Sequence, residues 1–282
     1  MRYLITGADG QLAKEFIKNL KDKNIYYFNR EKLDISNEKT LKEAIDYVKP
    51  DILINCAAYN NVDLAEVESD KAIQINSGAI KNIALFSYRY KTKIIHFSTD
   101  YVFDGDKKSL YTEDDNPSPI NVYGRSKLLG EENLKNNYEN YLIFRVSWVY
   151  GDGKQNFIYK LINWYKNNSK LRVSTDEVSI PTNTSLIVNV VLKAIDNDLK
   201  GLWHLTSSGH TSRYEWAAKV FEMLNIKIDI EKATQKDFNL MAKRPPFSAM
   251  SNENIKKILG VDIRRWDEYL YDFLVQRREM FL

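Results

Sequence analysis

Short apolar runs alternate with longer amphipathic segments through the first 150 residues of the chain. Short continuous apolar runs are typical of buried strands, whereas apolar residues spaced three or four apart indicate helices. Strands separated by such helices imply βαβ units, right-handed crossovers and a parallel sheet. The predicted strands cover residues 3–5, 25–28, 51–55, 93–98 and 141–146, and the predicted helices cover 38–48, 63–88 and 123–136.

The alternation loosens after residue 150, where predicted helices dominate. They cover 156–167, 185–197, 212–224, 252–259 and 265–277, with a short strand at 171–173. The loop 243–247 contains Pro245 and Pro246, which break a helix. We therefore predict an α/β protein in two parts. Residues 1–150 form a Rossmann-like, doubly wound parallel sheet, and residues 151–282 form a smaller, partly interleaved substrate lobe that covers the carboxyl edge of the sheet.

The composition excludes several classes of protein. Of 282 residues, 44% are hydrophobic and 28% are charged, as in ordinary globular proteins. A net charge of +3 without a dense Lys/Arg block argues against a nucleic-acid partner. The single cysteine, Cys56, excludes an internal disulfide, and its place in an apolar strand predicts a packing role. We expect a cytoplasmic protein, because the first strand begins at residue 2 and no apolar run has membrane-spanning length.

A glycine turn connects the first predicted strand to the first helical pattern. Gly7 permits a tight turn, Gly10 lets the backbone approach a phosphate, and Ala13 takes the place where a third glycine often packs helix against strand. The N–H groups at the start of the helix would then hold a dinucleotide pyrophosphate. The spacing G-x-x-G-x-x-A is looser than the general fingerprint, so an ordinary turn is the alternative.

A tyrosine and a lysine four residues apart, Tyr123 and Lys127, lie near the start of a predicted helix. This spacing puts both side chains on one helical face. An ammonium close to a phenol stabilises the phenolate, so we expect a lowered pKa for Tyr123 and a role as proton donor. Thr99 ends the strand before this helix, where it is placed to hydrogen-bond a substrate carbonyl. A plain surface pair is the alternative for Tyr123 and Lys127.

The same four-residue spacing recurs at Tyr150 and Lys154. Gly151 and Gly153 follow Tyr150 directly, so we do not expect this tyrosine and this lysine to share a helical face. The first pair is therefore the better candidate for chemistry.

These segments resemble the extended short-chain dehydrogenase/reductases. The resemblance rests on the glycine turn, on the strings at 55–59 and 98–103, on the Tyr-x-x-x-Lys spacing, and on residues 145–151 with Pro181 and Thr182. Within the family, it is strongest to the branch that reduces dTDP-4-dehydrorhamnose, and it covers nearly the whole chain. It implies that a reduced nicotinamide gives hydride to C4 of a dTDP-4-keto-6-deoxyhexose, yielding dTDP-L-rhamnose.

The resemblance also implies roles for individual residues. Tyr123 donates the proton, Lys127 tunes it and holds the nicotinamide ribose, and Thr99 binds the reacting oxygen. Core packing is an equal alternative for Trp148, and exposure to solvent is an equal alternative for Arg244, which otherwise would pair with diphosphate. The implied substrate contacts are Val62, Thr99, Asp100, Tyr101, Tyr123, Trp148 and Arg244.

The implied cofactor is NADPH or NADH. The second strand ends at Asn29 and Arg30 without the acidic residue of strict NAD enzymes, and Arg30 could accept a ribose 2′-phosphate, stack on adenine or face solvent. We expect NADPH to be usable, with NADH as the alternative. The implied cofactor contacts are Gly7, Gly10, Gln11, Leu12, Asn29, Arg30, Asp34, Ile35, Ala57, Ala58, Tyr59, Asn60, Asn76, Tyr123 and Lys127.

The chain departs from the family pattern at two places. Glu177 and Ser179 stand where the family often has Gln and Gly, which puts a contact to the nucleotide half of the substrate in doubt. Some members build a magnesium site at a dimer interface; Glu15 fits one position, but Ser185 replaces another. We therefore predict no metal, and a homodimer is a family expectation.

Other functions on the same fold stay open at this stage. A dehydratase would usually have Glu after the Thr-Asp pair, where this chain has Tyr101. An epimerase would retain and reuse its cofactor, and a non-catalytic regulatory subunit would bind the cofactor without turnover. The retention of Thr99, Tyr123 and Lys127 favours the reductase.

Overall fold

The computed structural model describes residues 1–167 and 170–281. Among these residues, no helix is both long enough and apolar enough to cross a membrane. The strands are β1 (Arg2–Thr6), β2 (Asn24–Phe28), β3 (Ile52–Asn55), β4 (Lys93–Thr99), β5 (Tyr141–Val146), β6 (Val149–Tyr150), β7 (Leu171–Ser174), β8 (Val178–Ser179), β9 (Thr182–Asn183), β10 (Gly201–His204), β11 (Thr211–Ser212) and β12 (Ile230–Ala233). The helices are α1 (Gln11–Asn19), α2 (Glu38–Val48), α3 (Val62–Val67), α4 (Ser69–Ile73), α5 (Ala79–Tyr88), α6 (Val122–Asn137), α7 (Phe157–Asn167), α8 (Thr184–Asp196), α9 (Arg213–Leu224), α10 (Glu253–Leu259), α11 (Trp266–Val275) and α12 (Arg278–Phe281).

A parallel sheet forms the centre of the described chain. Its strands lie in the order β10-β5-β4-β3-β1-β2, and every neighbouring pair is parallel. The chain moves outward in one direction from β1 to β2 and in the other from β3 to β5. In open α/β sheets, ligands bind at the carboxyl ends of the strands next to such a reversal. The predicted doubly wound parallel fold is confirmed.

Alternate side chains of each strand face different helical layers. On β1, Tyr3 and Ile5 pack in a cluster with residues of α1 and α8, whereas Leu4 packs with residues of α2 and α5. The alternation follows from the two-residue period of a strand. Burying one such aliphatic side chain contributes about 1.5–3 kcal/mol, so packing on both faces stabilises the central strands.

A second cluster lies in the later part of the chain. It joins residues of α7, α9 and α11 with residues of β7, and Trp216 is its largest fully buried member. β10 and α8 also follow residue 150, but β10 pairs with β5 and α8 packs against α1. The sequence analysis did not predict β10. The later residues are therefore interleaved with the sheet, and the division at residue 150 stays a prediction.

The predicted helix over 63–88 is wrong as a single element. α3 ends at Val67, and Glu68 leaves helical geometry with φ −100° and ψ 44° before α4 begins. Residues Gln74–Gly78 then form a π-helical turn ahead of α5. Such turns are frequent at functional sites, and this one places Asn76 against the end of β3.

Candidate active site

A cavity of about 980 Å³ lies at the carboxyl ends of β3, β4 and β5. Its size is at the upper end of the usual range for ligand pockets. Asn55, Thr99 and Val146, the last residues of the three strands, line it together with residues of the later lobe. The predicted site residues in the lining are Gly10, Gln11, Leu12, Ala57, Ala58, Asn60, Val62, Thr99, Asp100, Tyr101, Tyr123, Lys127, Trp148 and Arg244.

The glycine turn opens the N-terminus of α1 toward this cavity. Gly7 has φ +69°, and a Cβ there would lie 2.8 Å from the backbone nitrogen of Ala57, so a side chain is excluded. Gly10 precedes α1 in extended conformation, and no side chain of the described residues caps the helix. The free N–H groups are suited to a pyrophosphate. This donor set fits a dinucleotide.

The predicted adenine end lies outside the lining of the cavity. Asp34 accepts from the backbone and hydroxyl of Ser36 at 2.9 and 2.6 Å, and from Arg30 at 3.4 Å. These bonds hold the pKa of Asp34 below its usual value despite partial burial. The Arg30 side chain is 70% exposed. The predicted residues outside the lining are Gly7, Asn29, Arg30, Asp34, Ile35, Tyr59 and Asn76.

Asn76 holds the segment that lines the cavity after β3. Its Oδ1 accepts from the backbone N–H of Tyr59 at 2.8 Å, and its Nδ2 donates to the Tyr59 carbonyl at 3.0 Å and to Ser126 Oγ at 2.9 Å. Asn76 is buried and does not line the cavity, so its amide holds the Tyr59 backbone in place through these hydrogen bonds. Cys56 begins this segment just beyond β3 rather than within the strand, and burial raises the pKa of its thiol, which disfavours the nucleophilic thiolate.

Helix α6 carries Tyr123 and Lys127 into the cavity. Asn121 caps the helix by accepting from the Gly124 N–H at 2.7 Å. At Gly124 a Cβ would lie only 2.1 Å from the carbonyl oxygen of Tyr101, so the helix rests directly on the backbone that follows β4. Lys127 is buried, and its Nζ donates to the Phe97 carbonyl at 2.5 Å. The predicted pair therefore shares one helical turn at the strand ends.

The expected lowering of the Tyr123 pKa is wrong in this structure. Burial raises the pKa of Tyr123 to about 12, and the negative charge of Asp100 adds to the increase, while a hydrogen bond with Thr99 opposes it. Burial also lowers the pKa of Lys127 to about 8, against the opposing charge of Glu131. Desolvation of the phenol outweighs the attraction that the four-residue spacing suggested.

Thr99 is hydrogen-bonded within the protein, and its contact with a substrate carbonyl stays a prediction. Its hydroxyl donates to Asp100 Oδ1 at 3.1 Å and accepts from the Tyr101 N–H at 3.2 Å. Asp100 Oδ2 accepts from Ser179 at 2.7 Å and from Ser248 at 2.5 Å. Burial nevertheless raises the pKa of Asp100 to about 6. Sequence reasoning missed both serines, although Ser179 was visible as a departure from the family pattern.

Aromatic side chains form the wall beside Tyr123. The Tyr101 and Tyr123 rings meet edge to face with centroids 6.0 Å apart. Trp148 lines the cavity and stacks on Trp216, with ring centroids 5.5 Å apart. The guanidinium of Arg213 lies 3.6 Å from the Trp148 ring centroid, a contact that sequence reasoning did not find. Trp148 therefore packs on Trp216 and also lines the cavity, and its contact with the sugar stays a prediction.

Arg244 is neither exposed nor unpaired. It donates to Asp63 at 3.1 and 2.5 Å, and Asp63 also accepts from the backbone of Met241 and Ala242. The ion pair ties the later lobe to the start of α3, next to Val62. Pairing of Arg244 with a diphosphate stays a prediction.

The sequence was compared with known proteins. Residues 1–279 match the family described as the RmlD substrate binding domain. The Bacillus subtilis (strain 168) spore coat polysaccharide biosynthesis protein SpsK is 34% identical over 278 residues, which are 98% of each chain. A dTDP-4-dehydrorhamnose reductase of Aggregatibacter actinomycetemcomitans is 33% identical over 95% of this chain and 97% of its own.

Solved structures give the same result. The crystal structure of dTDP-4-dehydrorhamnose reductase from Bacillus anthracis in complex with NADP superposes with a TM-score of 0.94 at 35% sequence identity. The similarity covers 98% of this chain and 99% of that one. With the family match over nearly all of the sequence, the chain belongs to the RmlD substrate binding domain family.

Proposed function

We propose that the protein is an NAD(P)H-dependent oxidoreductase that reduces the C4 keto group of dTDP-4-dehydro-L-rhamnose to give dTDP-L-rhamnose. The observation that carries the proposal is the meeting of Tyr123, Lys127 and the uncapped start of α1 in one cavity. The similarity to named dTDP-4-dehydrorhamnose reductases supports the substrate and the reaction. We propose a cytoplasmic location as well, as expected from the sequence.

A nicotinamide dinucleotide fits the residues present. Gly10, Gln11 and Leu12 would hold the pyrophosphate on the N–H groups of α1, and the segment 57–60 would run along the cofactor. When bound, the reduced cofactor supplies the hydride. The guanidinium of Arg30 is exposed and donates its Nε–H to Asp34, so its remaining N–H groups could bind a 2′-phosphate, which supports NADPH as a usable cofactor.

Tyr123 is the proposed proton donor. Because its pKa is about 12 in this structure, the phenol stays protonated at neutral pH, and this is the form that a reduction requires. The charge that develops on the substrate oxygen draws the phenolic proton, and a phenolate remains. Lys127, held by the Phe97 carbonyl, would bind the nicotinamide ribose and stabilise that phenolate. Thr99, whose hydroxyl is hydrogen-bonded with the Tyr123 phenol, would bind the reacting oxygen beside that phenol.

The test is a coupled assay with purified protein. dTDP-glucose is converted to dTDP-4-dehydrorhamnose by a dehydratase and an epimerase, and the oxidation of NADPH is followed by absorbance. We expect one NADPH consumed per dTDP-L-rhamnose formed, with slower turnover of UDP-linked 4-keto sugars. Product formation without net NADPH oxidation would identify an epimerase, and cofactor binding without turnover would favour a regulatory subunit.

A further inference from the structure

The carboxylate of Glu177 connects the two parts of the cavity wall. Glu177 is 8% exposed and precedes β8. Its Oε1 accepts from the Tyr101 hydroxyl at 3.1 Å and from Arg213 Nε and Nη2 at 3.3 Å each. The Arg213 backbone N–H also donates to the Glu177 carbonyl at 3.1 Å. The Glu177 carboxylate thus binds both Tyr101, which follows β4, and Arg213, the first residue of α9.

Arg213 in turn covers one face of Trp148. The guanidinium carbon lies 3.6 Å from the Trp148 ring centroid, and Trp216 stacks on Trp148 at 5.5 Å. Arg213 and Trp216 are themselves 5.6 Å apart, which is far less than positions on opposite faces would require. They therefore pack on the same face of Trp148, and all three side chains line the cavity. A guanidinium over an indole is attractive, and more so where water is excluded.

The backbone of Trp148 shows that its position is imposed by such contacts. Its φ is +40°, in the left-handed region that a bulky side chain rarely adopts. A conformation of this kind persists where the surrounding structure holds it. Glu177 and Arg213 supply part of that hold, since Arg213 is fixed by Glu177 and lies directly on the indole.

We propose that Glu177 and Arg213 act together as positioning residues, fixing Trp148 and Tyr101 as the two aromatic walls that hold the hexose beside Tyr123. The proposal rests on the proposed function and deepens it. Tyr101 meets the Tyr123 ring edge to face, so one of these walls lies directly beside the proton donor. The family often has Gln at position 177, which would keep an acceptor oxygen but not the charge that pairs with Arg213.

The experiment measures kcat and KM for dTDP-4-dehydrorhamnose at saturating NADPH, together with the Kd of NADPH from its fluorescence. In Glu177→Ala we expect KM for the sugar to rise about 10-fold, with kcat and the Kd of NADPH nearly unchanged, because ground-state positioning is lost. Glu177→Gln should give an intermediate KM. In the double variant Glu177→Ala/Arg213→Lys, KM for the sugar should rise little more than in the more strongly affected single variant, because the two residues act as one unit.

The matched control is Glu222→Ala on α9, the helix that begins at Arg213. This variant removes an exposed ion pair with Lys219 (2.9 Å) and should leave KM for the sugar unchanged. Glu177→Gln keeps the shape of the side chain and carries the test if Glu177→Ala does not fold. A wild-type KM in either folded Glu177 variant, or an equal loss of NADPH affinity, would overturn the proposal. Absence of turnover in the wild-type protein is a separate result, which would refute the proposed function itself.

Discussion

Tyrosine and lysine are four residues apart at both 123–127 and 150–154, yet the two segments have different surroundings. Tyr123 and Lys127 lie on α6 and line the cavity. Tyr150 ends β6 with its ring packed against Trp216 and Phe273, and it is fully buried. Lys154 lies exposed in the turn that follows. The comparison shows that the same spacing places the two side chains together in the cavity at 123–127, where both lie on one helix, and not at 150–154.

Removing the hydroxyl group of Tyr123 and of Tyr150 in separate variants should give the largest difference between the two segments. Tyr123→Phe should lower kcat about 10²–10⁴-fold, the usual contribution of a general acid, equivalent to roughly 3–5 kcal/mol of barrier. NADPH binding should persist, since the ring remains. Tyr150→Phe should keep kcat within about twofold, because this hydroxyl lies outside the lining of the cavity. Steady-state rates and a titration of NADPH fluorescence measure both. Wild-type turnover in Tyr123→Phe would remove the phenol from the mechanism.

The lysines give the second contrast. Lys127→Met should reduce kcat/KM about 10–100-fold, because a buried charged donor is lost together with its hydrogen bond to the Phe97 carbonyl. Lys154→Met removes an exposed charge and should change neither kinetics nor melting temperature measurably. Equal losses in the two variants would show that net positive charge, rather than the position of one ammonium, supports turnover.

The smallest expected effect is a pH dependence that only one of the two lysines should cause. Burial lowers the pKa of Lys127 to about 8, so its charge is present at pH 7 and is lost as the pH rises through 8. An unperturbed lysine would keep its charge to about pH 10. NADPH affinity, measured between pH 6.5 and 9.5, should therefore weaken by a few-fold above pH 8 in the wild type and in Lys154→Met. The profile should be flat in Lys127→Met, and a wild-type slope in that variant would assign the titration to another group.

The centre of the sheet could be predicted because β1, β3, β4 and β5 are largely apolar runs that are buried almost throughout. β10 could not, since Gly201–His204 contains one glycine and one histidine and takes its place only by pairing with β5. The break in 63–88 was hidden for a similar reason. Helical periodicity does not show that the side chain of Asn76 binds the backbone of Tyr59 across a π-helical turn.

The candidate site divides in the same way. Tyr123, Lys127 and Thr99 were predictable because a local motif and a strand end locate them. Ser248 and Arg213 were not, because each reaches Asp100 or Trp148 only after the later lobe has folded over the sheet. The direction of the Tyr123 pKa shift also depended on how deeply the phenol is buried, which the spacing of residues does not contain.

The contact at Gly124 has a consequence for protein engineering. Since the space between this residue and the Tyr101 carbonyl is too small for a methyl group, the helix that carries the phenol can rest directly on the main chain of Tyr101 only while residue 124 is glycine. A mutant library aimed at new sugars should therefore leave residues 119–127 unchanged, keep Ser179, which bonds Asp100, and diversify 177 and 213. The wall of the sugar pocket can then be varied while the proton donor keeps its place.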